Sequence, residues 1–341
     1  MIISRTPFRV SLFGGGSDYP PWYRQHGGAV LGMTINKYCY ITIRPLPPFF
    51  EHRHRIVYSR IELVKTTSEI DHPSVRAVLT EMNIREGLEI HHDGDLPARS
   101  GLGSSSSFTV GLLNALNAYE GRMMSKKRLA DEAIRIEQDV IKENVGSQDQ
   151  VWAAYGGLNR INFRTDDSIG VVPIITDDRK RHQLQESMLL FFTGLARNAS
   201  TIAGDKIANL EKKAQQIRTM VQMVDEAQAI LQNPRRSINE IGQLLHDSWQ
   251  LKRELAASIT SSTIDDIYEA GRKAGAIGGK LLGAGGGGFM LFFVEPDKRP
   301  SVIKALGKLI PVPVEIGRDG SRIIVYEPDE HRSMAQNGQA Q

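Results

Sequence analysis

Residues 96–113 read LPARSGLGSSSSFTVGLL. A glycine-spaced run of serines usually marks a flexible linker, but this one runs straight into an apolar, helix-compatible stretch. Pro97 ends a strand-like segment, and Gly101 and Gly103 permit a tight turn with close backbone approach. Ser104, Ser105, Ser106 and Ser107 then fall at a helix start. Free backbone N–H groups and the positive end of the helix dipole make such a place an anion site, and a serine hydroxyl there can also ligate Mg²⁺ beside a phosphate. Simple N-capping accounts for one serine, not for four serines and two glycines. The segment reads as a phosphate-binding helix start.

Other nucleotide motifs are absent or misplaced. GxxxxGK[ST] occurs nowhere: Lys280 follows Gly279, but Leu281 stands where Ser or Thr is required. Gly283, Gly285 and Gly288 do form a GxGxxG. A dinucleotide fingerprint must follow a strand and open a helix, whereas this one reads as following a helix and opening the strand FMLFF. NAD binding is excluded on that context.

The 341 residues exceed what one hydrophobic core usually holds, so two lobes are expected, with the boundary placed between residues 183 and 184. The net charge of +3 comes from 42 basic and 39 acidic residues, broadly interspersed, without the dense basic stripe of a nucleic-acid binder. The most basic run, HRHRIVYSR at residues 52–60, reads as a solvated strand or loop. Neither it nor His91-His92-Asp93 has the second ligand set a zinc site needs. The single cysteine, Cys39, lies in the apolar run YCYITI and reads as a buried, inert thiol in a reducing compartment. No apolar run approaches the roughly 20 residues that span a bilayer, and no signal peptide is read, so a cytoplasmic protein without membrane contact is expected.

Strands are expected at residues 2–13, 28–45, 88–97, 156–163, 188–193 and 289–296, and helices at 105–119, 126–143, 237–259, 264–274 and 301–309. Residues 146–155 read as a loop. Residues 202–231 form one long amphipathic segment whose apolar face (Leu210, Ile217, Met220, Val224, Ile230) reads as lobe core or a homodimer surface. Strands and helices mix without regular βαβ alternation, which gives an α+β class.

LPARSGLGSSSS resembles the second signature motif of the GHMP kinases, Pro-x-x-x-Gly-Leu-Gly-Ser-Ser. PFRVSLFGGGSDYP at residues 7–20 resembles their N-terminal motif, and KLLGAGGGGFMLFF at 280–293 their C-terminal glycine motif. Three motifs in order, spanning nearly the whole chain, identify it as a member. The resemblance implies a ribosomal-protein-S5-like N-terminal lobe, a ferredoxin-like C-terminal lobe, and ATP with a small-molecule acceptor in the cleft between them.

It also implies roles. Asp149, in GSQDQ, would orient the acceptor hydroxyl and take its proton. Arg9 would keep that carboxylate ionised or neutralise charge on the transferred phosphoryl. Glu137, twelve positions before Asp149, would hold Mg²⁺ with Ser105, or with Ser104 or Ser106 if the alignment slips by one residue. ATP phosphates would lie on Gly101, Leu102, Gly103, the four serines, Gly285 and Gly286, and the sugar on Gly15, Gly16, Ser17, Asp18 and Tyr19.

Gly-Gly-Gly-Ser in place of Gly-Glu-His-Thr makes galactose a poor acceptor. FGGGSDYPPWYRQHGG, DHPSVRAVL and TGLARNAS instead resemble the kinases of D-glycero-D-manno-heptose 7-phosphate, which phosphorylate the anomeric hydroxyl on the way to nucleotide-activated heptose for surface glycans. The acceptor's own phosphate would need a cation, and Arg197 is the candidate, with Lys37 and Arg99 as rivals. The alternatives are an anomeric kinase for another sugar, such as fucose or glucuronate, and a non-catalytic sugar sensor on the same fold.

Overall fold

The computed structural model describes residues 1–98, 100–195 and 199–328. Arg197 and Arg99 lie outside the described residues.

The first half of the chain runs β1 (Ile2–Phe13), α1 (Pro20–His26), β2 (Gly28–Pro45), β3 (His54–Val57), β4 (Ile61–Val64), α2 (Pro73–Glu81), β5 (Leu88–Gly94), α3 (Ser104–Tyr119), α4 (Lys126–Arg135), α5 (Gln148–Tyr155), β6 (Leu158–Phe163) and β7 (Ile169–Pro173). The second half runs α6 (Asp178–Ser187), β8 (Met188–Phe192), α7 (Ala199–Asn209), α8 (Ala214–Gln232), α9 (Asn239–Arg253), α10 (Ser262–Lys273), β9 (Ala276–Leu281), β10 (Phe289–Val294), α11 (Arg299–Ala305), β11 (Ile310–Val312) and β12 (Arg322–Tyr326).

These elements build two sheets, the α+β arrangement expected. The larger has the path β12-β1-β2-β5-β3-β4, with β6 and β7 attached to β2. The 18-residue β2 makes this branching possible: its first third pairs with β6, its last third with β5, and β1 runs along nearly all of it. The smaller sheet is antiparallel, in the order β11-β8-β10-β9. α3 is buried along most of its length against β1 and β2, and Ser4 on β1 donates to the Gly111 carbonyl in its middle at 2.8 Å.

The boundary between residues 183 and 184 falls inside α6, and the chain does not part cleanly there. β12 returns to pair with β1 in the first sheet, and α8 packs on β1 and β2.

Four expectations need correction. Residues 146–155 hold the helix α5, not a loop; flanking glycines hid a short segment that buries Val151, Trp152, Ala153 and Ala154. The long 202–231 helix is broken by a 3₁₀ turn at Glu211–Lys213, and periodicity missed the break because Leu210 and Ile217 keep helical spacing across it. Its apolar face is interior, with Leu210, Ile217, Met220, Val224 and Ile230 all buried within the chain, so it is not a dimer surface. Finally, the glycine run at 283–288 joins two antiparallel strands, β9 and β10, rather than following a helix. AIGGKL looked unlike a strand because α9 packs directly on it: a Cβ on Gly278 would lie 1.9 Å from the Gly242 carbonyl oxygen. The exclusion of a dinucleotide fingerprint stands, since no helix opens after those glycines.

Candidate active site

β1 carries Arg9 to the foot of the serine loop. The Arg9 backbone N–H donates to the Leu102 carbonyl at 3.0 Å, and its Nη1 donates to the Gly101 carbonyl at 2.6 Å. The rest of the guanidinium forms a fork with Asp149: Nε to Oδ1 and Nη2 to Oδ2, both at 2.7 Å. Two parallel charge-assisted bonds fix the plane of the carboxylate as well as its place. Arg9 is buried, while Asp149 keeps about a quarter of its side chain exposed to the cavity, at 23%.

Asp149 is the middle of three consecutive residues at the start of α5 that reach different partners. Gln148 accepts from Ser11 Oγ at 2.8 Å and donates to Asp18 Oδ2 at 2.7 Å. Gln150 donates to Glu137 Oε2 at 2.5 Å. Successive helical residues point about 100° apart, so one helix start organises three groups at once. The roles of the two glutamines were missed in the sequence, although the string QDQ contains them.

Glu137 is fully buried in a π-helical turn, Ile136–Val140, that continues α4; such turns recur at functional sites. Burial pushes its carboxyl up to about 7, opposed by hydrogen bonds from Ser106 and Gln150. Ser106 donates to Glu137 Oε2 at 2.9 Å, and Oε1 has no partner among the described residues. The serine that touches this carboxylate is therefore Ser106, not Ser105. One residue earlier, Ser105 points out of the fold and is exposed at the cavity wall.

The serine loop differs in detail from a serine-capped helix. The N-cap of α3 is Gly103, in the left-handed conformation (φ 74°) and without a side chain to occupy the first N–H groups. Ser104, Ser105 and Ser106 line the cavity with Gly101 and Gly103. Leu102 faces the core, and Ser107 donates to the Pro7 carbonyl at 2.9 Å, so both support the loop from behind. The third glycine motif meets the loop back to back: a Cβ on Gly283 would lie 2.5 Å from the Gly101 Cα. Gly283 and Ala284 line the cavity. Gly285 and Gly286 instead pack on Ile259, whose carbonyl accepts from the Gly286 N–H at 2.8 Å, so the expectation that they face phosphate is not met.

Across the cavity lie Gly15, Gly16, Asp18 and Tyr19. Asp18 accepts from the Gly16 N–H at 2.9 Å, and burial raises its carboxyl above the usual range. Ser17 does not join them. Its hydroxyl is fully buried and ties the loop to the Gly14 and Ala29 carbonyls at 2.8 and 3.0 Å, so it shapes the loop and does not face the cavity.

Three lysines that the sequence reading did not assign to the site also line this cavity, Lys206 from α7, Lys252 from α9 and Lys280 from β9. Among the described residues the cavity wall thus combines a carboxylate held by arginine, an open helix N-terminus and a set of buried cations. No three acidic, histidine or cysteine side chains among the described residues gather as a dedicated metal cage. Mg²⁺ bound by one or two carboxylates together with phosphates needs none. The unpartnered Glu137 Oε1 and the adjacent Ser106 hydroxyl are hard oxygen donors of the kind it takes.

Two family models match the chain. The GHMP kinases N terminal domain matches residues 65–157 and the GHMP kinases C terminal model matches residues 223–311, together just over half of the chain. The chain belongs to the GHMP kinases. A curated GHMP kinase relative, the D-glycero-alpha-D-manno-heptose 7-phosphate kinase of Campylobacter jejuni, is 28% identical over 318 residues, covering 90% of this chain and 93% of that protein. The bifunctional fucokinase/GDP-fucose pyrophosphorylase of Arabidopsis thaliana is 25% identical over 87% of this chain but only 30% of its own length. Among solved structures, a D-glycero-D-manno-heptose 1-phosphate kinase from Bacteroides thetaiotaomicron superposes with a TM-score of 0.78 at 25% identity, covering 96% of this chain and 100% of that one. A mevalonate kinase shares the fold at 19% identity and a TM-score of 0.71, over 94% of this chain and 100% of its own. The two-lobed GHMP kinase fold is therefore this chain's fold, and among the described residues no helix is long and apolar enough to cross a membrane.

Proposed function

We propose that this GHMP kinase transfers the γ-phosphoryl group of ATP to the anomeric hydroxyl of a sugar phosphate, D-glycero-D-manno-heptose 7-phosphate, giving the 1,7-bisphosphate. The observation that carries the reading is the Arg9–Asp149 fork at the foot of the serine loop, facing the Asp18 side of one cavity. Phosphoryl transfer asks mainly for positioning and charge neutralisation, and these elements meet both needs.

The N–H groups opening α3, with the Ser104 and Ser105 side of the loop, receive the nucleotide phosphates. Asp18 and the Gly15–Gly16 backbone hold acceptor hydroxyls. Asp149 accepts the proton of the attacking hydroxyl as that oxygen bonds to the γ-phosphorus and ADP departs. Arg9 fixes the carboxylate plane and adds positive charge at the foot of the phosphate loop. Glu137 and Ser106 would hold Mg²⁺, which when bound neutralises charge on the phosphate oxygens. The lobe division near residue 183 is kept as part of this reading, with β12 belonging to the first lobe. The heptose in the names of two relatives supports the choice of acceptor.

The test is ADP release with Mg²⁺-ATP and a panel of heptose 7-phosphate, unphosphorylated heptose, fucose and glucuronate, with phosphorus NMR of the product. Heptose 7-phosphate should give the highest kcat/KM and a new anomeric phosphate. Preference for an unphosphorylated sugar would overturn the acceptor, and no ADP with any of them would point to a sensor.

A further inference from the structure

Lys206, Lys252 and Lys280 come from three separate elements and are each at most 5% exposed, yet all reach one cavity. Lysines are almost never buried without a charge partner. Here the partners are neutral. Lys280 Nζ donates to the Leu12 carbonyl at 2.7 Å. Lys252 Nζ donates to the Leu281 and Gly283 carbonyls, both at 2.7 Å. Lys206 Nζ lies 5.2 Å from the Tyr19 ring centre and 3.4 Å from its hydroxyl. Among the described residues no carboxylate forms an ion pair with any of the three, and Asp149 is already committed to Arg9.

An ammonium has three protons to donate, so each lysine keeps at least one that these contacts do not use. Burial, with Arg9 and Lys206 nearby, pulls Lys280 down to about 7 against the pull of Asp18, and burial with Lys280, Lys206 and Arg9 lowers Lys252. Burial also lowers Lys206, opposed by the charges of Asp18 and Asp149. Three desolvated cations around one cavity, none in an ion pair among the described residues although Asp18 and Asp149 line it too, make a site that a further anion would complete.

We infer that Lys206 and Lys280, backed by Lys252, bind the phosphate group that the acceptor itself carries. The inference rests on the sugar-phosphate reading above. It favours the acceptor over ATP because the nucleotide phosphates already have the helix start of α3, whereas Lys206 stands against Tyr19, beside Asp18. Lys280 is anchored three residues beyond Arg9 on β1. Lys252, with two of its protons on carbonyls, positions the Leu281–Gly283 turn and adds charge from behind.

The probe is inorganic phosphate, titrated calorimetrically into the full chain with and without a non-hydrolysable ATP analogue and Mg²⁺. Phosphate should bind when the analogue is already bound, and Lys206→Met and Lys280→Met should each weaken it about 10- to 100-fold, while Lys280→Arg retains most of the affinity. In turnover, the same Met variants should raise KM for the sugar phosphate by a similar factor and leave KM for ATP within about twofold. Melting curves exclude misfolding, and removal of a buried charge should not lower the melting temperature. Displacement of phosphate by the analogue, or a KM effect confined to ATP, would overturn the inference in favour of nucleotide phosphates. Unchanged phosphate affinity in both Met variants would overturn it outright. Because phosphate binding does not depend on which sugar is turned over, failure here with intact heptose 7-phosphate turnover removes only the lysine site. Phosphate binding without that turnover removes only the choice of sugar.

Discussion

The two walls of the cavity solve opposite electrostatic problems. Around the serine loop and the Asp18 loop the carboxylates have hydrogen-bond partners: Asp149 in the Arg9 fork, Glu137 Oε2 with Ser106 and Gln150, Asp18 with Gln148 and a backbone N–H. On the lysine wall, built from α7, α9 and β9, the hydrogen bonds among the described residues go to carbonyls and a phenol, and the carboxylates Asp18 and Asp149 act on Lys206 without an ion pair. The first wall is preorganised by hydrogen bonds, although burial still raises Glu137 and Asp18. The second carries buried positive charge that Asp18 and Asp149 offset only in part and that a bound anion would relieve further. Rigidity sits where the chemistry is, and affinity is stored where the protein is least content.

The largest effect expected is on the satisfied wall. Asp149→Asn should lower kcat by about 10²- to 10⁴-fold, the usual range for a lost general base, while binding of a non-hydrolysable ATP analogue by calorimetry stays within about twofold. Retained turnover would place the base elsewhere and end the contrast. Next, Glu137→Gln should raise the Mg²⁺ concentration for half-maximal rate by roughly 10-fold or more. Metal titrations of Ser106→Ala should move in the same direction, and those of Ser105→Ala should not. Equal shifts in the two serine variants would show that contact with Glu137 does not select the ligand.

The smallest expected effect tests the unsatisfied wall without any substrate. An amine whose folded pKa falls to about 7 from the ordinary 10.5 holds fewer protons in the folded than in the unfolded chain between those values. Its penalty is complete below pH 7 and fades as pH rises towards 10. The ligand-free melting temperature should therefore gain a few °C from pH 7 to pH 9 relative to Lys280→Met, measured at constant ionic strength. A slope that the variant shares would mean that Lys280 is not the strained group.

How much of this was legible in the sequence follows from what each feature depends on. β1 and β2 occupy the residues expected because their β-branched and aromatic patterning is local and ends in Gly14 and Pro45. The serine loop, Arg9, Asp149 and Glu137 were recognisable as motif positions, and the structure brings them together. The choice of Ser106 over Ser105 was not legible, since it turns on the angular phase of α3 relative to a π-helical turn in another helix. The lysines were invisible for a different reason. Lys206 and Lys252 sit in helices, where a lysine normally snorkels to solvent, and only the tertiary packing, α9 on β9 and Lys206 of α7 against Tyr19, turns them inward. Arg197, the sequence's own candidate for the acceptor phosphate, lies outside the described residues, and the lysine wall takes that role in the present reading.

The Gln148-Asp149-Gln150 triplet has an evolutionary and engineering consequence. Asp18, Asp149 and Glu137, the acceptor contact, base and metal carboxylate of the proposed function, all hang on one start of a helix only eight residues long. A one-residue insertion or a changed entry into α5 would rotate all three out of place together, so these functions cannot be retuned one at a time from that segment. Acceptor preference is free to drift only through parts not wired to it. The lysines, each on its own element, are such independent dials.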